Sequence, residues 1–399
     1  MSMKKVLIAS FDMEVGGVER SLVNLLDSFD YDSYSVDLML YRHKGEFMKF
    51  LPKGPTLLKE IEHYASFRKT IGQVFKEKRL ALGIVRLIAK CRVELKRRFK
   101  GIPESGYYQM QLMWKYSLPF LPRCEKEYDI AVSYLWPHYF VGEKVKAKKK
   151  IAWIHTDYSV IYTDIAMDLK MWRKFDYIVA VSEQCKGTFL EKYPDLSGRV
   201  VVIENIAAPE FIRKMSKESI EEEIMGESNF NILTVARLSH AKGIDNAVKA
   251  FKLLIDRGIK NIRWYVIGYG GDEEYIRNLI NSNNLQDSFI LLGKKINPYP
   301  YMRKCDLYVL PSRYEGKAVT VTEAQILGKA VLITRYKTAE SQVSDGFDGL
   351  IAEQSVKGIA DGIERLHKDT KLRIELEENC KNINYTNTNE LKKLYKLFG

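Results

Sequence analysis

Cysteine is scarce and scattered. The chain has five, Cys91, Cys124, Cys185, Cys305 and Cys380, an odd number with no C-x-x-C pair among them. This argues against a disulfide framework or a zinc knuckle and for a reducing compartment. No stretch of about 18 uncharged apolar residues occurs, so no spanning helix is expected. The opening MSMKKVLIASFDMEVGG has an apolar run, Val6 to Ala9, far too short for a signal-peptide core. No His or Cys cluster has metal-ligand spacing, and no metal or other cofactor is expected. Asp30-x-Asp32 lies in a polar stretch before a strand and reads as a turn. Internal short-period repeats and low-complexity tracts are missing too.

What is present is an ordinary globular composition. The 399 residues are 46% hydrophobic and 29% charged, which rules out wholesale disorder, collagen-like repetition and a polytopic membrane protein. The length predicts two domains. The formal net charge of +12 suggests an anionic partner: nucleic acid, a membrane surface or a phosphorylated ligand. The excess is local. From Ser66 to Lys100 there are twelve Lys or Arg against Glu77 and Glu94. Leu80, Ile84, Leu87, Ile88, Cys91 and Leu95 recur there at helical spacing, with Arg79, Arg86, Lys90 and Arg97 on another face. Two readings stand side by side. One is an amphipathic helix lying on an anionic bilayer through those four cations. The other is a surface helix whose apolar stripe faces the core. No nucleic-acid-binding motif accompanies the run, and a nucleic-acid partner is not expected.

Elsewhere apolar runs alternate with helical patterns. Strands are expected at Lys5–Phe11, Ser35–Leu40, Asp129–Tyr134, Lys150–Ile154, Tyr177–Val181 and Val200–Ile203. The alternation breaks near Ala207–Phe230 and resumes with strands at Asn231–Val235, Arg263–Ile267, Phe289–Leu292, Leu307–Leu310 and Ala330–Ile333. Helices are expected at Ile244–Asp256, Glu273–Ile280, Thr320–Leu327 and Asn387–Phe398. The fold class is α/β: two Rossmann-like, doubly wound parallel-sheet domains facing across a cleft, with ligands beyond the carboxyl ends of the strands. The expected division is 1–206 (with the basic insertion at about 66–100), 207–380, and a closing segment 381–399 that packs back on the first domain.

Three segments carry candidate chemistry. In PSRYEGKAVTVTEA, a strand leads through a loop holding Glu315 and Gly316 into a helix carrying Glu323. Backbone N–H groups of Gly316, Lys317 and Ala318 at a helix start suit an anion. The alternatives are an N-terminal helix acid for Glu315 and a solvated face for Glu323. In TVARLSHAKGI, Arg237 and Lys242 follow a strand, offering a bidentate fork and a point charge to a diphosphate; the alternative is two surface cations. In YVIGYGGDEE, Gly268, Gly270 and Gly271 fill a strand-to-helix turn. His155 ends the run IAWIH, with Asp157 close behind, and is either a buried structural histidine or a group facing the ligand.

In this order and spacing, these segments with FILLGKK resemble the retaining glycosyltransferases of family 4, which have the GT-B fold. The likeness is strongest from about Asn231 to Ala352. It implies that Arg237 and Lys242 hold the diphosphate of a nucleotide-sugar. Glu323 would take the ribose hydroxyls and Glu315 the donor sugar. Gly316, Lys317 and Ala318 would offer N–H groups, and Gly293 and Lys294 would lie near the base. Gly16 and Gly17, in EVGGVER, would approach the diphosphate from the first domain, and His155 the reacting sugar. Lys317 and Ala318 depart from the apolar residue followed by Gly or Pro that relatives often carry. The basic insertion is not a general family feature. UDP is the expected base, as the commonest in such relatives, and a front-face retaining transfer without metal is the implied reaction.

The rivals are a glycoside hydrolase, a non-catalytic sugar-nucleotide-binding protein and a sugar-nucleotide epimerase of the same fold. Eight residues of helix rise about 12 Å, too far for a hydrolase pair at roughly 5–9.5 Å. An epimerase leaves a membrane-facing helix unexplained. If the basic helix touches membrane, the acceptor is a lipid-linked saccharide, the setting is capsule, exopolysaccharide or lipopolysaccharide synthesis, and the location is cytoplasmic, peripheral at the inner face of the cell membrane.

Overall fold

A computed structural model of the chain describes residues 3–100, 106–220, 225–226, 228–387 and 389–399. Part of the mixed-charge stretch after Pro209, residues 221–224 and 227, lies outside them. The chain forms two compact units, Met1–Asn205 with Asn389–Gly399, and Ile206–Thr388.

The first unit holds seven strands: β1 (Lys4–Ser10), β2 (Tyr34–Leu40), β3 (Thr56–Leu57), β4 (Glu127–Ser133), β5 (Lys146–Ile154), β6 (Tyr177–Ala180) and β7 (Val200–Val202). Their order is 3-2-1-4-5-6-7 and each pairing is parallel. Val6 to Ala9 of β1 are buried in succession rather than alternately, as a strand covered on both faces must be. β5 starts four residues ahead of its apolar run. Lys146 and Lys148 there pair with Glu127 and Asp129 of β4, so cross-strand charge extends the ladder beyond the core.

Between β3 and β4 runs the basic segment, whose main element is the helix Leu80–Lys100. It packs against helices Ile71–Lys76 and Gly106–Ser117. Its orientation removes one of the two readings, a stripe turned to the core. Leu82, Val85, Ala89 and Val93 are buried, whereas Leu80, Ile84, Leu87, Ile88, Cys91 and Leu95 are exposed. Two of the four cations expected on a membrane face are also committed inward. Arg86 donates to the carbonyls of Ser66 and Lys69, both at 2.7 Å, and burial pushes its pKa down. Arg79 pairs with Glu62 and Glu77. Lys90 and Arg97 remain exposed, Arg97 beside Glu94 at 2.8 Å. Asp30 forms the expected turn: its Oδ1 accepts the N–H groups of Asp32 and Ser33.

Helix Thr370–Asn382 runs through position 381, so the portion joining the first unit starts at Asn389 instead. In helix Asn389–Phe398, Tyr395 stacks on Tyr34 at 5.1 Å and its hydroxyl accepts the Asp30 N–H at 2.8 Å. Phe398 is buried against Phe29 and Tyr34.

The second unit holds β8 (Phe230–Val235), β9 (Ile262–Ile267), β10 (Phe289–Gly293), β11 (Leu307–Leu310), β12 (Val331–Thr334) and β13 (Leu350–Ala352). All pairings are parallel, in the order 10-9-8-11-12-13. This is the doubly wound 3-2-1-4-5-6 pattern, and its direction reverses between β8 and β11. Alternate residues feed two cores: Ile232 and Trp264 lie in one, Leu233 and Tyr265 in the other.

If the closing helix completes the first unit, Phe398→Ala should cost about 3–5 kcal/mol and lower that unit's unfolding transition in a thermal melt. An unchanged melt would show the helix to be ornamental.

Candidate functional site

The reversal point of the second sheet gathers the segments singled out above. After β8 the chain passes Arg237 and a short helical turn, His240–Lys242, into helix Ile244–Asp256. Gly243 joins them at φ +63°, and a Cβ there would lie 2.1 Å from the Pro311 carbonyl oxygen. The loop after β8 thus rests directly on the loop after β11, at a spacing that admits no side chain. Arg313 staples the two. Its N–H donates to Ala241 at 2.7 Å, and its guanidinium grips both oxygens of Asp245 at 2.8 and 2.7 Å. Burial alone would raise the Asp245 pKa, but the Arg313 pair outweighs it and holds it below its ordinary value. Neither residue was singled out in the sequence, since each is one more charge in a charged loop until the fold brings them together.

Lys242 and Glu315 meet across the same junction, with Nζ 2.5 Å from Oε1. Ser312 donates to that oxygen at 2.6 Å. The Arg237 side chain is exposed and makes no hydrogen bond or ion pair with the described residues. The site therefore carries one cation with its counter-ion in place and one open to water. An incoming phosphate would compete with Glu315 for Lys242 and meet Arg237 directly.

Helix Val319–Ile326 begins at Ala318, whose side chain cannot cap it, leaving first-turn N–H groups without a side-chain cap. Ala318 itself is a correction. Its N–H donates to Gln342 Oε1 at 3.2 Å and its carbonyl accepts from Gln342 Nε2 at 2.5 Å, so it is not free for an anion. Gln342 lies 24 residues away and gave no local signal. Gly316 is buried and Lys317 half-buried. Glu323 is 1% exposed and accepts the Tyr299 hydroxyl at 2.9 Å, which removes the solvated-face reading. Gly268, after β9, has φ +155°, and a Cβ there would lie 1.8 Å from the Ala236 carbonyl oxygen, so it fits the β9 and β8 ends together. Gly293 closes β10, and Lys294 lies over the Tyr269 ring at 5.2 Å.

In the first unit, Gly16 caps helix Gly17–Asp27 in extended conformation, and a Cβ on Gly17 would meet nothing within 4 Å. His155 follows β5. Its ring sits 4.7 Å from Tyr134, and its Nε2 is buried without a hydrogen-bond partner. Burial drives its pKa down to about 3, so the imidazole is neutral. Its ring is not fully satisfied by the described residues. The Tyr134 hydroxyl bonds Ser21 Oγ at 2.6 Å, and Ser21 donates to Asn205 at 2.6 Å, which ties this platform to the helix after Gly17. The sequence reading missed His138, which is fully buried with Nδ1 2.8 Å from Ser133 Oγ and a pKa lowered by burial to about 3. Among the described residues no group of three or more His, Cys, Asp or Glu side chains could hold a metal ion, and no helix is long and apolar enough to cross a membrane.

Residues 216–386 match the family model described as Glycosyl transferases group 1. An uncharacterized glycosyltransferase of Methanocaldococcus jannaschii is 26% identical over 281 residues, 65% of this chain and 70% of that protein. The N,N'-diacetylbacillosaminyl-diphospho-undecaprenol alpha-1,3-N-acetylgalactosaminyltransferase of Campylobacter jejuni is 24% identical over 221 residues, 53% of this chain and 56% of that protein. Among solved structures, Anabaena HepE in complex with UDP and glucose superposes with a TM-score of 0.69 at 16% identity, covering 98% of each chain. The fold is therefore GT-B.

His138 and His155 give acid sensitivity a defined sign. Unfolded, each ring titrates near 6.5; folded, each holds near 3. Below pH 6.5 the unfolded chain binds more protons, so stability is unaffected above that value and falls as pH drops toward 3. His138→Gln should flatten this decline in denaturant midpoints, measured between pH 7 and pH 4. An equally steep decline would refute the buried-neutral assignment.

Proposed function

We propose that this chain, a glycosyltransferase whose residues 216–386 are its glycosyl transferases group 1 domain, moves a sugar from a nucleoside-diphosphate sugar to a saccharide or lipid-linked acceptor with retention of anomeric configuration. The observation that carries the reading is the convergence of Arg237, Lys242, Glu315 and the uncapped start of helix Val319–Ile326 at the reversal point of the second sheet. Breaking the anomeric carbon–oxygen bond leaves an oxocarbenium-like sugar and builds negative charge on the departing diphosphate. Arg237, Lys242 and the helix start meet that growing charge, so they favour the transition state over the bound donor. Glu315, released from Lys242 as phosphate arrives, contacts the sugar, and Glu323 with Tyr299 holds the ribose hydroxyls. Neutral His155 serves as a hydrogen-bonding group beside the sugar rather than as a cation. No metal takes part.

UDP is the proposed base, in keeping with the UDP bound to HepE. A lipid-linked acceptor of polysaccharide assembly agrees with the undecaprenol-linked substrate in the Campylobacter relative's name and with the Staphylococcus aureus capsular polysaccharide biosynthesis glycosyltransferase CapM, 27% identical over 211 residues. Work on such an acceptor puts the chain at the anionic cytoplasmic face of a membrane.

Thermal melts against UDP-, GDP- and ADP-sugars test the donor. A UDP-sugar should raise the melting temperature by mass action; a panel without any shift would remove the reading. Arg237→Ala and Lys242→Ala should each slow transfer by about 100-fold or more. Glu323→Ala should weaken nucleotide binding while Glu315→Ala mainly lowers kcat, and a chelator should leave the rate unchanged. Small, equal effects from both glutamates, or full speed without either cation, contradict the roles given.

A further inference from the structure

Helix Leu80–Lys100 is apolar on two opposite sides. The inward side is accounted for by Leu82, Val85, Ala89 and Val93. The outward side carries Leu80, Ile84, Leu87, Ile88, Leu95 and Phe99, from 43% exposed at Leu87 to 81% at Phe99. A helix on a water-facing surface needs one apolar stripe, and its other face is normally polar. Scattered exposed hydrophobics need no explanation, but a continuous row does. At 100° per residue this row fills an arc of about 120° and runs about 30 Å along the axis. Exposed Arg98 lies within it, exposed Lys90 and Arg97 lie on the flank about 60–80° beyond it, and Glu94 is the one acid of the helix.

The row is also mounted rigidly. Arg86 ties the helix to the carbonyls of Ser66 and Lys69. Between those two residues Arg68 pairs with Asp12 at 3.1 Å and lies over the Phe11 ring at 4.8 Å. The helix is thus braced against the loop that leads from β1 to Gly16, and the outward row cannot turn in without breaking these contacts.

We propose that this row is a membrane-insertion face: it enters the headgroup–acyl boundary of an anionic bilayer, while Arg98 within it and Lys90 and Arg97 on its flank take lipid phosphates. This rests on the membrane setting proposed above and deepens it, replacing contact by charge alone with burial of a named apolar surface. A bilayer fits better than a protein groove. The face is long, its cations sit on apolar stems, and the surrounding segment Ser66–Lys100 holds ten of the chain's twelve net positive charges.

Cys91 lies in the row and is exposed, whereas Cys185, Cys305 and Cys380 are buried and Cys124 is half-buried. In a Cys124→Ser background, labelling by a membrane-impermeant maleimide therefore reports Cys91. Phosphatidylcholine vesicles carrying phosphatidylglycerol should bind the chain and protect that thiol. Ile84→Glu with Ile88→Glu should lower vesicle affinity by about tenfold or more and abolish protection, even at low salt. Far-UV circular dichroism melts check that the variants fold. Vesicle binding lost in Lys90→Glu/Arg97→Glu but unchanged in the isoleucine pair would overturn insertion and leave the charge-based membrane reading standing. Failure of the native chain to bind vesicles would sink both. Concentration-dependent protection of Cys91 without vesicles would show that a second copy covers the row, and would overturn the proposal.

Discussion

The second unit is organised by one contact that leaves no room for a methyl group: Gly243 against the Pro311 carbonyl. Because β8 and β11 are neighbours in the sheet but distant in sequence, their loops emerge side by side, and this spacing presses one onto the other. Arg313 and Asp245 lock the arrangement with a two-pronged ion pair. With the backbone fixed in this way, Lys242 and Glu315 fall within hydrogen-bond distance and helix Val319–Ile326 starts beside them. Preorganisation of this kind is what makes a charged site useful, since the groups need not reorganise as charge develops.

The charges at that junction are unequal in their readiness. Lys242 is held by Glu315, so it is neither fully hydrated nor unneutralised, and the cost of keeping a partly buried cation is offset within the loop. Arg237 is exposed to water. In the function proposed above, the diphosphate of the donor displaces Glu315 from Lys242 on binding. One substitution at Glu315 therefore acts twice, on what the carboxylate touches and on how Lys242 is poised.

Much of the fold was legible in the sequence because parallel strands covered on both faces are nearly unbroken apolar runs. Leu307–Leu310 was bounded to the residue. β3 and β13 escaped, being two and three residues long, with β3 exposed. β5 was shortened because charge pairing rather than apolarity extends it. The loops carrying Arg237, Lys242 and Glu315 were legible as cations and acids at strand ends, whereas Gln342 and His138 act through contacts that no local pattern records. The helical pattern was legible between Ser66 and Lys100, but which way its apolar stripe faces was left open. Two apolar stripes share one periodicity, and periodicity alone cannot say which one the core takes.

Helix Asn389–Phe398 belongs to the unit that begins the chain, although the whole second unit is threaded between them. During synthesis, the pocket formed by Phe29 and Tyr34 therefore leaves the ribosome long before Tyr395 and Phe398 exist to fill it. The lobe made first is finished last, and its aromatic socket stays uncapped while the second lobe is translated.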